Sequence, residues 1–298
     1  MTAALVAAGA MLCLVLVARS EGAKRYRLVR RALWLRQAGR SAAAVKALEA
    51  AIDVGRPDPG VVNLAVETLI SGGKYSEALA LPPAFDPVAP FDKLHFVLVQ
   101  INLAEAEYNL GRWDAAWSRL EPLDGRAEPF AITRAGLALQ RAWILAHTNR
   151  PDEALAMWEQ ADMYGLPHPY RAEHYFTHAA ILLGLGRLDD AEDVADAGAD
   201  ASVRPSSERN ALFMLARVAA TKGDLERAEE LCRAASGHRF QGHGGDGLLL
   251  WGDVLNRLHR ATEARQAYAL CIARDGQSES ARSAEARLRA TTIQSAAG

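Results

Sequence analysis

The chain is poor in the residues that build covalent or metal chemistry. Its three cysteines, Cys13, Cys232 and Cys271, lie far apart and form no CxxC pair, which argues against a disulfide framework or a cysteine zinc site. Cys232 and Cys271 fall at apolar offsets of helical patterns and read as small buried hydrophobes. No GxSxG motif is present and no cysteine is placed with a histidine, so no nucleophilic triad is legible. The glycine-rich stretch from Gly237 to Gly247, GHRFQGHGGDG, has no Gly-Lys-Ser/Thr and no strand before it, which excludes a phosphate loop. Excess charge is missing too. A net charge of −2 leaves too little basic surface to displace counterions from nucleic acid.

What is present is ordinary for folded protein: 298 residues, 50% hydrophobic and 23% charged. One long apolar run stands out. Thr2 to Ala18 contains 17 uncharged residues, roughly 26 Å as a helix and close to the thickness of a bilayer's hydrocarbon. No cation precedes it, as a signal peptide would require, and no small residue stands directly before Cys13 as a lipoprotein site would. The cations all follow: Arg19, Lys24, Arg25, Arg27, Arg30, Arg31, Arg36 and Arg40 against the single acid Glu21. The expectation is a single-pass membrane anchor over 1–19, amino terminus out and the remainder in the cytoplasm. Lys24, Arg25, Arg27, Arg30 and Arg31 would then lie near the membrane and could meet anionic lipid. The alternatives are a buried helix, an unusual export signal, or basic residues that only set topology.

Leu248 to Asp275, LLLWGDVLNRLHRATEARQAYALCIARD, is the clearest unit. Leu248, Trp251, Leu255 and Leu258 recur at helical spacing, His259-Arg260 interrupts, and Ala264, Tyr268 and Cys271 resume. That pattern is a helical hairpin. A turn residue followed five positions later by alanine recurs along the chain: Gly39/Ala44, Gly73/Ala78, Gly111/Ala116, Asn149/Ala154, Gly186/Ala191, Gly223/Ala228 and His259/Ala264, at intervals of 34 to 38 residues. Gly, Asn or His tolerates the positive φ that closes a first helix, and a small residue lets the second helix approach it. The residue after the turn is basic in six of the seven units, and acids follow at Glu77, Asp114, Asp152, Asp189 and Glu226. Ala32, Val66, Ala104, Ala142, Ala179, Ala216 and Gly252 stand seven before the turn, where the helix axes would cross.

These offsets resemble the tetratricopeptide repeat, carried in the last unit by Leu248, Trp251, Gly252, Leu255, Ala264, Tyr268 and Cys271. The resemblance implies an all-α superhelical solenoid of about seven hairpins. The segments expected are the anchor 1–19, the basic segment with two repeats 20–82, a proline-rich connector 83–91, five repeats 92–275, and a capping helix with tail 276–298. In the cap, Ala281, Ala284, Leu288 and Thr291 should face the last repeat.

In that family the ligand groove is lined by the first helix of each hairpin. Carried onto this chain, its positions are Asn63, Glu67, Ile101, Glu105, Tyr108, Asn109, Leu139, Trp143, His147, Phe176, Leu183, Phe213, Arg217, Asp253, Asn256 and Arg257. Leu139, Trp143, Phe176, Leu183 and Phe213 would form an apolar strip with aromatic anchors for a helix or peptide. The Lys/Asn clamp with which chaperone-binding members hold a carboxylate is absent: the corresponding pairs run from Asn63/Glu67 to Leu249/Asp253. The same aromatics could instead pack between hairpins.

His174 and His178, four apart on one helix face, are the one metal candidate, with no HExxH pattern beside them. His168, His238 and His243 are weaker. The reading is a non-catalytic scaffold with no cofactor, no small-molecule substrate and no nucleic acid. Its partners would be proteins of a membrane complex, met in the groove and on the acidic face from Asp189 to Asp200. The layout is similar to bacterial membrane-anchored scaffolds such as the lipopolysaccharide-assembly adaptor, but this chain lacks that family's paired CxxC module. A periplasm-facing accessory or chaperone-like subunit is the alternative, and a metal enzyme using His174 and His178 a more distant one.

Overall fold

The computed structural model describes residues 20–38, 40–54, 58–81, 90–123, 131–161, 171–203, 205–237 and 245–297. All regular structure among them is helical. The first hairpin is α1 (Glu21–Gln37) with α2 (Ser41–Ile52), and the second α3 (Pro59–Ile70) with α4 (Tyr75–Ala80). The third is α5 (Pro90–Asn109) with α6 (Trp113–Leu120), which runs into a short 3₁₀ turn, Glu121–Leu123. Then come α7 (Ala131–His147) with α8 (Pro151–Glu159), α9 (Arg171–Gly184) with α10 (Leu188–Asp200), α11 (Pro205–Lys222) with α12 (Leu225–Gly237), and α13 (Gly245–Arg257) with α14 (Ala261–Asp275). A last helix, α15 (Glu279–Ala297), follows the seventh hairpin.

The turns show why these hairpins form. Gly73, Gly111, Gly186 and Gly223 have φ between 71° and 90°, and the two non-glycine residues with positive φ among the described residues are Asn149 (60°) and His259 (59°). Each lets the next backbone N–H reach back to the first helix: Lys74 to Leu69, Arg112 to Glu107, Arg150 to Leu145, Arg187 to Leu182, Asp224 to Ala219 and Arg260 to Leu255, all at 2.9–3.0 Å. That bond closes a Schellman motif and satisfies carbonyls a helix end would otherwise orphan. The same residue then caps the second helix and pairs with an acid three positions on: Lys74–Glu77 2.8 Å, Arg150–Glu153 2.6 Å, Arg187–Asp190 2.7 Å and Arg260–Glu263 2.5 Å. The acids that pair with the turn cation are Glu77, Glu153, Asp190 and Glu263, because three residues is a spacing that brings side chains together on a helix. Gly39 lies outside the described residues.

The alanines five past each turn are all fully buried: Ala44, Ala78, Ala116, Ala154, Ala191, Ala228 and Ala264 are each 0% exposed. Opposite them, Ala32, Val66, Ala104, Ala142, Ala179 and Ala216 are at 0–1%. In the last hairpin the position is Gly252, where an added Cβ would stand 2.3 Å from the Tyr268 ring. The glycine exists to seat that tyrosine.

Each hairpin packs on the next, and the packing distinguishes inside from outside. From α3 onward, first helices also pack on first helices (α3 on α5, then α7, α9, α11 and α13), whereas second helices show no comparable packing on one another. The first helices therefore form the tighter, inner layer. Hairpins two and three share one core, in which Val62, Val66, Leu69 and Tyr75 meet Val99, Leu103, Ala106 and Leu110, so packing runs on across the proline-rich connector, most of which lies outside the described residues.

α15 covers the last hairpin, with Ala281 and Ala284 at 0% exposure and Leu288 packed beside Tyr268 and Cys271. Ser278 caps it by accepting from the Ala281 N–H at 3.0 Å. It also returns to the beginning of the superhelix. The Arg282 guanidinium donates to the Leu110 carbonyl at 2.7 Å, the Trp113 indole to Glu279 at 3.2 Å, and the Ser76 amide to the side chain of Gln277 at 3.2 Å. One superhelical turn is thus closed by its own terminal helix. No helix among the described residues is long and apolar enough to cross a membrane; the run Thr2 to Ala18 lies outside them.

Candidate functional site

The inner layer gathers much of the expected groove. On α3, Asn63 accepts from Asn102 at 3.0 Å and Glu67 pairs with Arg36 at 2.7 Å, both contacts tying neighbouring hairpins together. On α5, Glu105 senses Glu67 on one side and Glu173 of α9 on the other; burial first, and then these two carboxylates, push its acid up to about 7. On α7, burial, and then the positive charge of Arg217 on α11, push His147 down to about 4. Burial, and then Glu105 and Asp246, hold the Tyr108 phenol well above its ordinary range. Charges on α5, α7, α9, α11 and α13 are thus felt by one another across the first helices.

Its most organised part is a ladder of rings. Trp143 and His147, one turn apart on α7, have centroids 4.1 Å apart. Trp113, from the first turn of α6, stacks on His147 at 5.6 Å with planes 8° apart, and on Tyr108 at 5.6 Å with planes 7° apart. His147 Nδ1 donates to the Trp143 carbonyl at 2.9 Å, which fixes the ring's orientation. All four rings are half-buried. Trp113 was not among the expected groove residues because it opens a second helix. Its signal was a large aromatic directly after Gly111-Arg112, facing the first helix across a tight turn.

Other expected anchors lie elsewhere. Ile101, Leu139 and Phe176 are buried at 6–7% exposure. Phe176 packs on α10 so closely that a Cβ on Gly198 would meet its ring at 2.7 Å, and the Phe213 ring occupies the space over Gly247 of α13 at 2.4 Å. Each ring packs where a glycine on the facing helix makes room for it; Phe176 is buried there, and Phe213 stays half-buried. Leu183 packs beside Phe176 in the same core. Asn109 bonds back to the Glu105 carbonyl at 2.8 Å. Asp253 accepts from Tyr268 at 2.8 Å and from Arg287 of α15 at 2.5 Å. Arg257 donates to the Ala220 carbonyl at 3.0 Å, and Asn256 is exposed.

The acidic helix α10 is partly neutralised within the chain. Lys222 bridges Asp189, at 2.6 Å, and Glu192, and Arg227 also meets Glu192. That part of the face joins two hairpins. His174 and His178 both pack on Trp158, with centroids at 4.6 and 3.8 Å, and the Trp158 indole donates to the His174 carbonyl at 3.1 Å. Burial lowers both imidazoles, His178 to about 4 with His174 and Arg187 adding to it. Among the described residues no group of three or more His, Cys, Asp or Glu side chains is assembled for a metal. His168, His238 and His243 lie outside them. On the first hairpin, Arg25 bonds to the Val54 carbonyl and lies 3.8 Å from Asp58.

Stacked helical hairpins, an inner layer of first helices and a terminal cap define a helical-repeat solenoid, a class that generally mediates contacts between proteins. Residues 176–242 match the family model of the tetratricopeptide repeat. The fold of the chain is that of tetratricopeptide-repeat proteins. It is similar to a tetratricopeptide repeat protein from Parabacteroides merdae, with 13% identity, a TM-score of 0.54, and coverage of 90% of this chain and 99% of that one. A chain of the APC/C hetero-tetramer Cut9–Hcn1 matches 90% of this chain over 49% of its own length, with 13% identity and a TM-score of 0.58. Likeness at that identity speaks for the fold. No curated protein sequence matches the chain.

Proposed function

We propose that this protein is a non-catalytic scaffold that holds partner proteins at a membrane. The apolar run Thr2 to Ala18 is its tether, with the repeats on the cytoplasmic side, and components of a membrane complex are its clients. The observation that carries the binding part is the ladder of Tyr108, Trp113, His147 and Trp143: four stacked, half-buried rings, three from first helices and one from the turn end of a second. Rings already fixed by stacking lose little entropy on binding, and aromatic side chains of this kind dominate interface energetics.

The test is affinity capture from detergent-solubilised membranes with the wild-type chain and Trp143→Ala. A client bound inside the superhelix is lost or weakened by at least about tenfold, the ordinary effect of truncating an aromatic anchor. An unchanged set of captured proteins contradicts binding at this site. A reporter fused to the carboxyl terminus tests the topology: activity specific to the cytoplasm supports it, and activity specific to the periplasm replaces it with the accessory-subunit reading.

A further inference from the structure

Four large apolar side chains stand exposed among the described residues: Tyr26 at 62%, Leu33 at 42%, Trp34 at 60% and Val203 at 54%. Three of the four are on α1. Its inner side is conventional, with Ala32 at 1% and Leu35 at 4% packed against Ala44, Leu48 and Ala51 of α2. At about 100° per residue, Leu33, Tyr26, Arg30, Trp34, Arg31 and Lys24 follow one another around roughly half the circumference, and each is exposed. The Arg30 guanidinium lies over the Tyr26 ring, 5.9 Å from its centroid. The one acid on the helix is Glu21.

We propose that this face of α1 lies flat on an anionic lipid bilayer, with Trp34, Tyr26 and Leu33 at the headgroup level and Lys24, Arg30 and Arg31 against lipid phosphates. Three observations select this occupant. Indole and phenol rings are amphipathic and settle at the membrane–water interface. The cations alternate around the helix with the rings, and each contributes about 1 kcal/mol against anionic lipid. Only Arg19 and Ser20 separate α1 from the apolar run, so a chain tethered by that run holds this helix against the bilayer. The proposal rests on the tether reading for placement, and it adds which surface of the repeats meets the lipid. The superhelix is thereby held by its first hairpin edge and not left to swing on a linker.

The test uses the full-length chain, incorporated by detergent removal into vesicles of phosphatidylcholine alone or phosphatidylcholine with phosphatidylglycerol. Lipids brominated near the headgroup quench nearby indoles, and the difference between wild type and Trp34→Phe isolates Trp34. The expected result is Trp34 quenching in the anionic vesicles. In Lys24→Gln/Arg30→Gln/Arg31→Gln the ratio of docked to undocked helix should fall by about a hundredfold, three cations at about 1 kcal/mol each. Equal quenching in wild type and Trp34→Phe overturns the proposal, as does shielding of Trp34 from aqueous iodide in the absence of lipid, which would show a second protein surface there. The tether fails separately: a chain that docks through α1 alone floats with anionic vesicles only and is released by salt. A chain held by its apolar run, but whose α1 face does not dock, resists alkali in both lipids and shows no Trp34 quenching.

Discussion

The two ends of the superhelix solve the same problem differently. Any stack of hairpins leaves an unpartnered apolar surface at each end. At the carboxyl end α15 covers it, burying Ala281 and Ala284 and reaching back to Ser76, Leu110 and Trp113. At the amino end no described residue covers α1 in this way, and it presents Trp34, Tyr26 and Leu33 outward. The carboxyl-terminal cover belongs to the fold, and the exposed face of α1 is the surface proposed above to meet lipid.

The contrast predicts a gradient of mutational cost. The largest effect is expected at the closed end: Ala284→Glu places a charge where exposure is 0% and should cost about 3 kcal/mol or more, read as a lower midpoint in urea. Next is Gly252→Ala. Its new Cβ would stand 2.3 Å from the Tyr268 ring, for a loss of about 2–3 kcal/mol. At the equivalent position of the first hairpin, Ala32→Gly should cost only about 1 kcal/mol, because the methyl is lost without a clash. Equal costs at the two positions would remove the contrast.

Glu105 supplies a reference from the middle of the stack. Its acid is raised from 4.5 to about 7, so the folded chain keeps a proton that the unfolded chain has already released. Stability from this group is therefore complete below about pH 4.5 and is lost as pH rises towards 7. Glu105→Gln should leave stability unchanged at pH 4 and raise it by about 2 kcal/mol at pH 8, measured by denaturation at both values. Arg282→Ala, which removes the bond to the Leu110 carbonyl, should cost about 1 kcal/mol. Trp34→Ala at the open end should change stability by less than about 0.5 kcal/mol in the absence of lipid, and a large loss there would mean that the end is covered within the chain.

How much of this was legible in the sequence follows from the range of each interaction. The turns were legible because positive φ is a local demand, which Asn149 and His259 meet as well as glycine does. The buried alanines were legible because two helices can approach only over small side chains. The seats of Phe176 and Phe213 were not legible, since their partners Gly198 and Gly247 are remote in sequence and a glycine that receives a ring looks like any other. Trp113 was missed for a related reason: it lies on a second helix and enters the inner face from the turn. The return of α15 to hairpins two and three depends on superhelical pitch, which accumulates over seven units and is written in no single one.

Closure by α15 is the central claim, since it creates the inner surface and leaves α1 as the open end. Its most direct measurement is the distance between spin labels at Asp114→Cys and Ala286→Cys, with Cys13 replaced by serine, in the free chain. Closure predicts one short, narrow distance distribution that broadens when Arg282 and Glu279 are changed to alanine. A broad or long distribution in the otherwise unaltered chain would show that the superhelix stands open and would contradict the account.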